Sequence, residues 1–448
     1  MPHKFIITTL ELFEPKLNYC SDVLSYEKKA QTEFYVDTFN HFPVVINDDG
    51  SPWIHACLYL LYRLKNSLNP RYSTFSSITS DLLCFKRFLE KENVDYLYSP
   101  KRRLSRPTIK YRMHLQENIL DLRLSQNTAR RKLQTVIGFY RWLISEQKVR
   151  FDYPLWNEKQ SFIVFSSATR TKITKQIDKV DINFKQIKNI NCESHFIKDG
   201  GSLLPYNKIE QQQLLSALLD IGNPEMTLSF LLALTTGARI QTTFTIRESH
   251  ISALTEKKDC LLPVGYGTGI DSKNQKQNSL VVPQWLVCKL KVYLRSPRRL
   301  KRLNKSDSSS IDDYGEYLFV TRYGMPFYMA ESDKRHSSFR VPPSGNSVRQ
   351  FITNQLIPRL KAEKFSSPLR FHNLRATFGM NLVDHFTPII KSGEISFFKV
   401  QKYIMERMGH SNIATTDRYL NYRENSNVEF EAQYAYENYL QSLVDIEV

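Results

Sequence analysis

Apolar residues recur at helical intervals over two long stretches of the chain, and this pattern most constrains how the chain can fold. Between residues 70 and 160, Leu82, Phe85 and Leu89 are examples of apolar residues three or four positions apart, as on one face of a helix. The same spacing returns in several segments between 205 and 408. We therefore predict a mainly α fold with a small β component.

The length of 448 residues favours more than one domain, and changes in pattern indicate where the domains meet. The stretch between the two helical regions alternates polar and apolar residues and has few turn residues. The predicted parts are an N-terminal α/β segment (1–65), an all-helical domain (66–164), an extended linker (165–204), a mixed α/β domain (205–424) and a C-terminal tail (425–448).

Within the larger domain, the pattern also predicts individual elements. A strand, a polar turn and a second strand are expected over 262–282, which would form a minor sheet among helices. The remaining expectations are a loop over 296–316, a strand over Tyr317–Val320 and three helices over 346–363, 372–384 and 397–408.

Positive charge is concentrated in the helical domain. The chain carries a net charge of +17, and residues 101–150 contain thirteen lysines and arginines against three acids. Arg130, Arg131 and Lys132 begin a helix whose other face is apolar, and Arg141 lies further along it. Such a surface binds polyanions, most often nucleic acid, although charge runs also occur on faces that contact only solvent. We predict that these four residues contact the phosphates of double-stranded DNA.

Several classes of protein fit the sequence poorly. No uninterrupted apolar run approaches the roughly 18 residues of a membrane span, and the N-terminus reaches an acidic residue too soon for a signal peptide. The six cysteines are far apart, which disfavours a cysteine-rich zinc site. We expect a cytoplasmic protein, nucleoid-associated if its host is a bacterium, that contacts no membrane and needs no cofactor.

Five short features of the second half contain residues suited to chemistry at a phosphodiester. Each feature alone has a structural explanation, such as an arginine that caps a helix or a packed tyrosine. Together they supply the groups needed to break and rejoin a phosphodiester bond without metal or ATP. In chain order they are Arg239 after an apolar helix, Lys273 in the polar turn, His372 with Arg375 three residues on, His410 after Gly409, and Tyr419 nine residues later.

Three of these residues suit the charge that builds on the phosphate oxygens in the transition state. Arg239 and Arg375 can neutralise it, because a guanidinium group presents two donors in a fixed fork. His410 can donate a further hydrogen bond to the scissile phosphate.

The other three suit nucleophilic attack and proton transfer. Tyr419 is the candidate nucleophile, and His372 is the candidate proton acceptor or orienting group. The leaving 5′-oxygen is strongly basic, so Lys273 on the hairpin turn is assigned to protonate it. The phosphotyrosyl bond would retain the energy of the broken bond, so that rejoining needs no nucleotide.

These motifs resemble those of the tyrosine recombinase (phage integrase) family. The stretches are Leu234–Arg239 (LTTGAR), Phe371–Arg375 (FHNLR) and, most specifically, Met408–Tyr419 (MGHSNIATTDRY). The resemblance extends over about 205–425. The helical domain is similar in placement and character to the family's core-binding domain.

The resemblance implies a site-specific DNA recombinase with a covalent 3′-phosphotyrosyl intermediate, which integrates or excises a mobile genetic element. Family members form a C-shaped clamp around DNA and act as tetramers on two duplexes. Accessory DNA-bending proteins or companion recombinases are partners that the resemblance leaves open. The acidic tail, with six acids and no lysine or arginine over 424–448, is expected to dock on a neighbouring protomer.

The chain departs from the family's pattern at three points. The family usually has an acid three positions after the first arginine, where this chain has Thr242. The polar turn contains both Lys273 and Lys276, of which we expect Lys273 to be catalytic, with Lys276 in reserve. The stretch between Arg375 and His410 is longer than is usual in the family, with an insertion expected at about 387–398.

Two alternative functions fit the same motifs. A type IB topoisomerase-like or telomere-resolving enzyme would use the same chemistry with a different outcome. A non-catalytic DNA-binding regulator of the same fold would bind DNA without cleaving it, and Thr242 in place of the acid is the best support for that alternative.

Overall fold

The computed structural model divides the chain into two compact units. One comprises Met1–Ile187 with Ser337–Arg340, and the other comprises Lys188–His336 with Val341–Val448. The described residues are 1–18, 23–28, 38–67, 70–166, 172–184, 196–255, 259–305, 315–335, 339, 341–362, 365 and 367–444.

Four helices carry most of the core of the first unit. They are α1 (Ile54–Lys65), α2 (Tyr72–Lys91), α3 (Pro107–Leu120) and α4 (Gln126–Ser145), with a 3-10 turn at Arg103–Ser105. The Ser125 hydroxyl caps α4 by accepting a hydrogen bond from the Thr128 amide. Leu133, Ile137 and Tyr140, which lie on one face of α4, are buried. The helical spacing predicted for this region is confirmed.

The strands described in the first unit form antiparallel pairs. These are β1 (His3–Glu11) with β4 (Thr38–Ile46), β2 (Phe13–Asn18) with β3 (Val23–Lys28), and β5 (Glu158–Ser166) with β6 (Lys172–Val180).

One apolar core joins these strands to the helices. Val45 of β4 and Trp53 before α1 are buried together with Phe139 of α4, and the rings of Trp53 and Phe139 are 5.4 Å apart. Val180, at the end of β6, belongs to the same core. Apolar packing therefore joins residues of the predicted N-terminal segment (1–65) and of the predicted linker (165–204) to the helices, while the predicted domain boundaries stay predictions. The functions assigned to these parts stay predictions.

The second unit is built mainly of helices. They are α5 (Lys208–Ile221), α6 (Pro224–Thr236), α7 (Ile240–Phe244), α8 (Glu248–Ser252), α9 (Gln284–Leu294), α10 (Pro297–Leu303), α11 (Asn346–Phe351), α12 (Ile357–Ala362), α13 (Asn373–Lys391), α14 (Phe397–Met408) and α15 (Ile413–Val444). A π-helical turn, Ile352–Leu356, joins α11 to α12.

Two small hairpins complete the described part of this unit. β7 (Ile197–Lys198) pairs with β8 (Ser202–Leu203), and β9 (Asp259–Val264) pairs with β10 (Asn278–Pro283). The β9–β10 pair confirms the predicted strand, turn and strand, and its connection contains a 3-10 turn at Lys273–Gln275. The fold class is mainly α with small sheets, as predicted.

The core of the second unit fixes the helices that carry the motif residues. Phe230 of α6 and Phe244 of α7 pack on Phe371, and their ring centroids lie 5.1 and 5.8 Å from the Phe371 ring centroid, respectively. Phe371 directly precedes His372 and α13, so this aromatic cluster anchors the chain at the start of α13. A second cluster packs Ala376 and Phe378 of α13 against α14 and α15.

Two local expectations differ from the structure. Part of the predicted loop over 296–316 is helix α10, which Ser296 caps through the Arg299 amide. Tyr317 and Val320 form isolated bridges rather than a strand. Helix α13 runs on to Lys391, into the predicted insertion, and α15 runs into the predicted tail as far as Val444, while the insertion and the tail stay predictions.

Among the described residues, none of the helices combines the length and the apolar character that crossing a membrane would require.

Candidate active site

A cavity of about 400 Å³ in the second unit brings together residues from the five sequence features. Arg239, Lys273, Arg375 and His410 line it. His372 and Tyr419 reach the same place through hydrogen bonds to Asp199, a residue that the sequence did not indicate. All six predicted catalytic residues are thus gathered around one point.

Gly237 positions Arg239 at the end of α6. Its φ of 69° is the left-handed conformation that ends a helix, which glycine adopts without strain. A Cβ atom at this position would lie 2.6 Å from the Phe378 ring, so the close approach of α6 and α13 also requires glycine. The chain then turns into α7, with Arg239 immediately before it.

Arg375 is held in the interior by helix ends. It is 3% exposed, and its Nη1 and Nη2 atoms donate to the carbonyl oxygens of Gly237 (2.9 Å) and Met408 (2.6 Å). These carbonyls end α6 and α14, where the helix dipole is negative. The third side of the guanidinium, Nε, donates to Asp199 Oδ2 at 2.6 Å.

The Asp199 carboxylate is the centre of the site. Its Oδ1 atom accepts a hydrogen bond from Arg239 Nη2 at 3.3 Å, and its Oδ2 atom accepts the bond from Arg375. Oδ2 also lies 3.3 Å from His410 Nε2 and 3.1 Å from the Tyr419 hydroxyl. Burial alone would raise the pKa of this carboxyl, but the hydrogen bond to His410 and the charge of Arg375 hold the pKa of Asp199 far below its usual range.

His410 begins the segment that follows α14. Gly409 ends that helix with a φ of 63°, and the Nδ1 atom of His410 lies 3.0 Å from the Thr416 hydroxyl. This contact orients the ring so that Nε2 faces the cavity and Asp199. Burial lowers the pKa of His410.

His372 directly precedes α13, as its N-cap residue. Its Nε2 atom lies 2.9 Å from the backbone oxygen of Asp199. Burial lowers the pKa of His372, so the imidazole is neutral near pH 7 and has a nitrogen able to accept a proton.

Tyr419 is fully buried on α15, with 0% of its surface exposed. A Cβ atom at Gly379 would lie 2.6 Å from the Tyr419 ring, so glycine on α13 makes room for this ring. Burial, and next the charge of Asp199, raise the pKa of Tyr419 far above its ordinary value. In this arrangement the hydroxyl is a donor to Asp199 and a poor nucleophile.

The two candidate lysines lie on the same turn but have different surroundings. Lys276 Nζ donates to the carbonyl oxygen of Gly409 at 3.2 Å. Lys273 Nζ would lie 3.5 Å from a Cβ atom placed at Gly200, beside Asp199. Both lysines line the cavity, and the choice of Lys273 over Lys276 stays a prediction.

The structure places two acids in this part of the molecule, where the resemblance leads us to expect an acid and the chain has Thr242. One is Asp199. The other is Asp271, which is 2% exposed and accepts hydrogen bonds from Gln241 of α7 at 3.0 Å and from Gln275 at 3.3 Å. Asp271 thus ties the helix after Arg239 to the turn that carries Lys273.

The four predicted DNA-binding residues lie on α4 of the first unit. Arg130 is exposed. Arg131 Nη1 and Lys132 Nζ lie 2.6 and 3.7 Å from the carboxylate of buried Asp81, so both side chains also form ion pairs within the protein. The last residue, Arg141, pairs with Glu158 at 2.7 Å. Contact of the four with DNA stays a prediction.

Sequence reasoning missed Asp199 because it assigned that residue to a linker. The turn signal Asp199-Gly200-Gly201 was available, and it corresponds to the tip of the β7–β8 hairpin. Nothing in the local sequence indicates that this tip enters a site formed by residues up to 220 positions away.

No protein-family model and no curated protein sequence matches the chain, but solved structures do. The XerH site-specific recombinase bound to difH substrate is 12% identical with a TM-score of 0.45, over 86% of this chain and 89% of that chain. The Tn1549 transposon integrase in complex with transposon right end DNA is 16% identical with a TM-score of 0.46, over 84% and 98%. A lambda integrase dimer bound to a core site is 14% identical with a TM-score of 0.44, over 82% and 94%. The chain is thus similar to recombinases and integrases, and since these TM-scores are below 0.5 we infer its function from the residues of the site.

Proposed function

We propose that the chain is a site-specific DNA recombinase of the tyrosine recombinase type, which integrates or excises a mobile genetic element. The observation that carries this proposal is the convergence of Arg239, Arg375, His410 and Tyr419 on one carboxylate, that of Asp199. Donors that surround a carboxylate in this way can bind the two non-bridging oxygens of a phosphodiester by the same charge-assisted hydrogen bonds.

In the proposed reaction, the Tyr419 oxygen attacks the phosphorus of one DNA strand. The proton of the hydroxyl passes to His372, which burial keeps neutral. Arg239 and Arg375 neutralise the charge that builds on the phosphate oxygens, and His410 donates a further hydrogen bond.

The bond from phosphorus to the 5′-oxygen then breaks. Lys273 gives a proton to the departing oxygen, which leaves a free 5′-hydroxyl and a 3′-phosphotyrosyl bond. Attack by the 5′-hydroxyl of a partner strand reverses these steps and releases Tyr419. Since the phosphotyrosyl bond conserves the energy of the original bond, no ATP enters the cycle.

The surroundings of the site suit a polyanionic substrate. Seven lysines and arginines line the cavity, and Asp199 is the only carboxylate among its described lining residues. We assign the phosphates flanking the cleaved bond to these cations and the more distant phosphates to α4 of the first unit. A tetramer on two duplexes, docking of the acidic tail on a neighbouring protomer and a cytoplasmic location are further parts of the proposal.

Covalent capture tests the proposal. The protein is incubated with DNA fragments from the region of the genome that encodes it, the reaction is stopped with SDS, and protein-linked DNA is sequenced. We expect adducts at one short site. Scattered adducts and relaxation of plasmids that lack the site would instead support the topoisomerase-like alternative.

Two variants on the same helix control the capture experiment. Tyr419→Phe should bind DNA and form no adduct. Tyr422→Phe, which removes a half-buried hydroxyl one turn further along α15, should retain adduct formation. Specific, tight binding with no adduct in any variant, on nicked as well as intact DNA, would contradict the proposal and favour the binding-only regulator.

A further inference from the structure

We propose that the 197–203 hairpin (Ile197 to Leu203) is an autoinhibitory plug, in which Asp199 takes the place of the scissile phosphate and must withdraw before DNA is cleaved. This inference rests on the proposed function, because it identifies the anion that the site binds when DNA is absent. It goes further in assigning a regulatory contact to a segment outside the catalytic motifs.

The first argument is that Asp199 uses the donors that a phosphate would need. Four side chains lie between 2.6 and 3.3 Å from its two carboxylate oxygens. Oδ2 alone meets Arg375, His410 and Tyr419. A phosphodiester cannot bind the same donor atoms while the carboxylate remains there, and the two anions would also repel each other.

The second argument is that the plug closes off the nucleophile. Tyr419 has no exposed surface, and its hydroxyl donates to Asp199. A backside attack on phosphorus needs the oxygen about 3–3.5 Å from the reacting atom, with nothing between them. The position next to the hydroxyl is taken by Asp199 Oδ2.

The third argument is that Arg239 and Arg375 need an anion beside them for the stability of the site. Besides burial, the charge of Arg375 lowers the pKa of Arg239, which records the repulsion between the two guanidinium groups. Asp199 lies between them, 3.3 Å from Arg239 Nη2 and 2.6 Å from Arg375 Nε. The carboxylate thus compensates a buried and a partly buried cation until phosphate replaces it.

Asp199 is poorly suited to act as the catalytic base. Since the pKa of its carboxyl lies far below the usual range, it accepts a proton from tyrosine with difficulty. Its hydrogen bond to Tyr419 instead stabilises the protonated phenol and raises the pKa of that hydroxyl. Both effects oppose nucleophilic attack, as expected of an inhibitory contact.

The hairpin is built so that its tip can move while its base stays in place. Ile197 and Leu203, on either side of the tip, are 0% and 3% exposed in the core around α13–α15. Arg418 Nη1 donates to the Lys198 carbonyl at 2.7 Å. Asp199 is followed by two glycines, of which Gly200 has a φ of 72°, and glycine changes its backbone conformation at little steric cost.

Binding of inorganic phosphate tests the plug without requiring DNA cleavage. Isothermal titration should show that Asp199→Ala binds phosphate at least tenfold more tightly than wild type. Asp220→Asn, which removes one acid from a partly exposed pair with Arg359 in the same unit, should match wild type. The gain should disappear in the double variant Asp199→Ala/Arg239→Ala. Equal phosphate affinity in wild type and Asp199→Ala would overturn the inference.

Adduct formation separates this inference from the proposed function. On the captured DNA site, Asp199→Ala should form the Tyr419 adduct faster than wild type. Tighter phosphate binding with no adduct in any variant would leave the plug in place and contradict the recombinase. Slower adduct formation without tighter phosphate binding would overturn the plug and make Asp199 a positioning residue.

Loss of the carboxylate also removes compensation from two arginines, so folding is checked by circular dichroism and gel filtration. Should Asp199→Ala fail to fold, Asp199→Asn keeps the size of the side chain and is titrated in its place. The amide carries no negative charge to offset Arg239 and Arg375, so this variant should also bind phosphate more tightly than wild type, and an unchanged affinity would count against the plug.

Discussion

The Tyr419 hydroxyl donates a 3.1 Å hydrogen bond to Asp199 Oδ2, the same oxygen that Arg375 Nε approaches at 2.6 Å. The proposed nucleophile and a proposed phosphate-binding arginine therefore share one anion. While that anion is a carboxylate of the chain itself, the pKa of Tyr419 stays raised by burial and by Asp199. If a phosphodiester replaced the carboxylate, its phosphorus would lie next to the Tyr419 hydroxyl, in the place that the Asp199 carboxylate occupies in this structure.

Replacing Arg375 should reduce stability as well as activity. Arg375→Ala takes from Asp199 its nearest donor and from the carbonyls of Gly237 and Met408 the guanidinium that they accept from, and breaking a buried ion pair costs about 3–5 kcal/mol. Urea denaturation measures the loss in free energy of unfolding. Arg239→Ala should lose less, because the Arg239 side chain is 25% exposed. Equal losses in the two variants would contradict the argument that burial of Arg375 makes its removal more destabilising.

The two lysines of the turn should differ in their effect on cleavage. Lys273→Ala should slow single-turnover cleavage by about 10²-fold or more, the usual contribution of a general acid, and Lys276→Ala should slow it less. A substrate with sulfur in place of the bridging 5′-oxygen restores the rate of Lys273→Ala, because a thiolate leaves without a proton. If the sulfur substrate instead rescues Lys276→Ala alone, the assignment of the general acid must be exchanged.

Stability should fall as the pH is lowered from 7.5 to 5.5. Burial lowers the folded-state pKa of His250, His372 and His410, whereas an unfolded histidine titrates near 6.5. Below about pH 6.5 the unfolded chain thus binds more protons than the folded one, and the free energy of unfolding decreases. The urea midpoint at each pH measures this. In His372→Gln/His410→Gln the decrease should be smaller, and an unchanged pH slope in that variant would rule out these two residues as its source.

The basic helix α4 should contain both binding and structural cations. Arg130→Ala removes an exposed charge and should reduce the slope of log K against log salt for DNA binding by about 1. Lys132→Ala should mainly reduce stability, because its ammonium lies 3.7 Å from Asp81, whose side chain is 1% exposed. Fluorescence anisotropy at several salt concentrations measures the salt slope of each variant, and urea denaturation measures its stability. An unaltered slope in Arg130→Ala would move the DNA-binding face elsewhere.

The sequence predicted the elements that depend on local pattern. The helices near 346–363 and 397–408 and the β9–β10 hairpin follow from periodicity and turn residues, and the structure has them within a few residues. It did not predict α10, because the basic run at 298–302 resembles a loop until Arg299 is seen buried against the carbonyls of Tyr317 and Leu318.

The residues of the candidate site were predictable where they belong to short sequence motifs. Arg239, Arg375, His410 and Tyr419 were singled out by residue type and order, and the structure gathers them within hydrogen-bonding distance of one carboxylate. Asp199 was not predictable, because its role depends on a tertiary contact that brings a hairpin tip to α13 and α15. Asp271 was not predictable for the same reason, since its role depends on tertiary hydrogen bonds from Gln241 and Gln275.

Mass spectrometry of the captured adduct tests the central claim most directly. After nuclease and protease digestion of the SDS-trapped complex, the account predicts one modified peptide, with a nucleotide joined through its 3′-phosphate to the Tyr419 oxygen. The same peptide from Tyr419→Phe should be unmodified. A nucleotide linked to any other residue, or an adduct that persists in Tyr419→Phe, would contradict the claim that Tyr419 is the nucleophile.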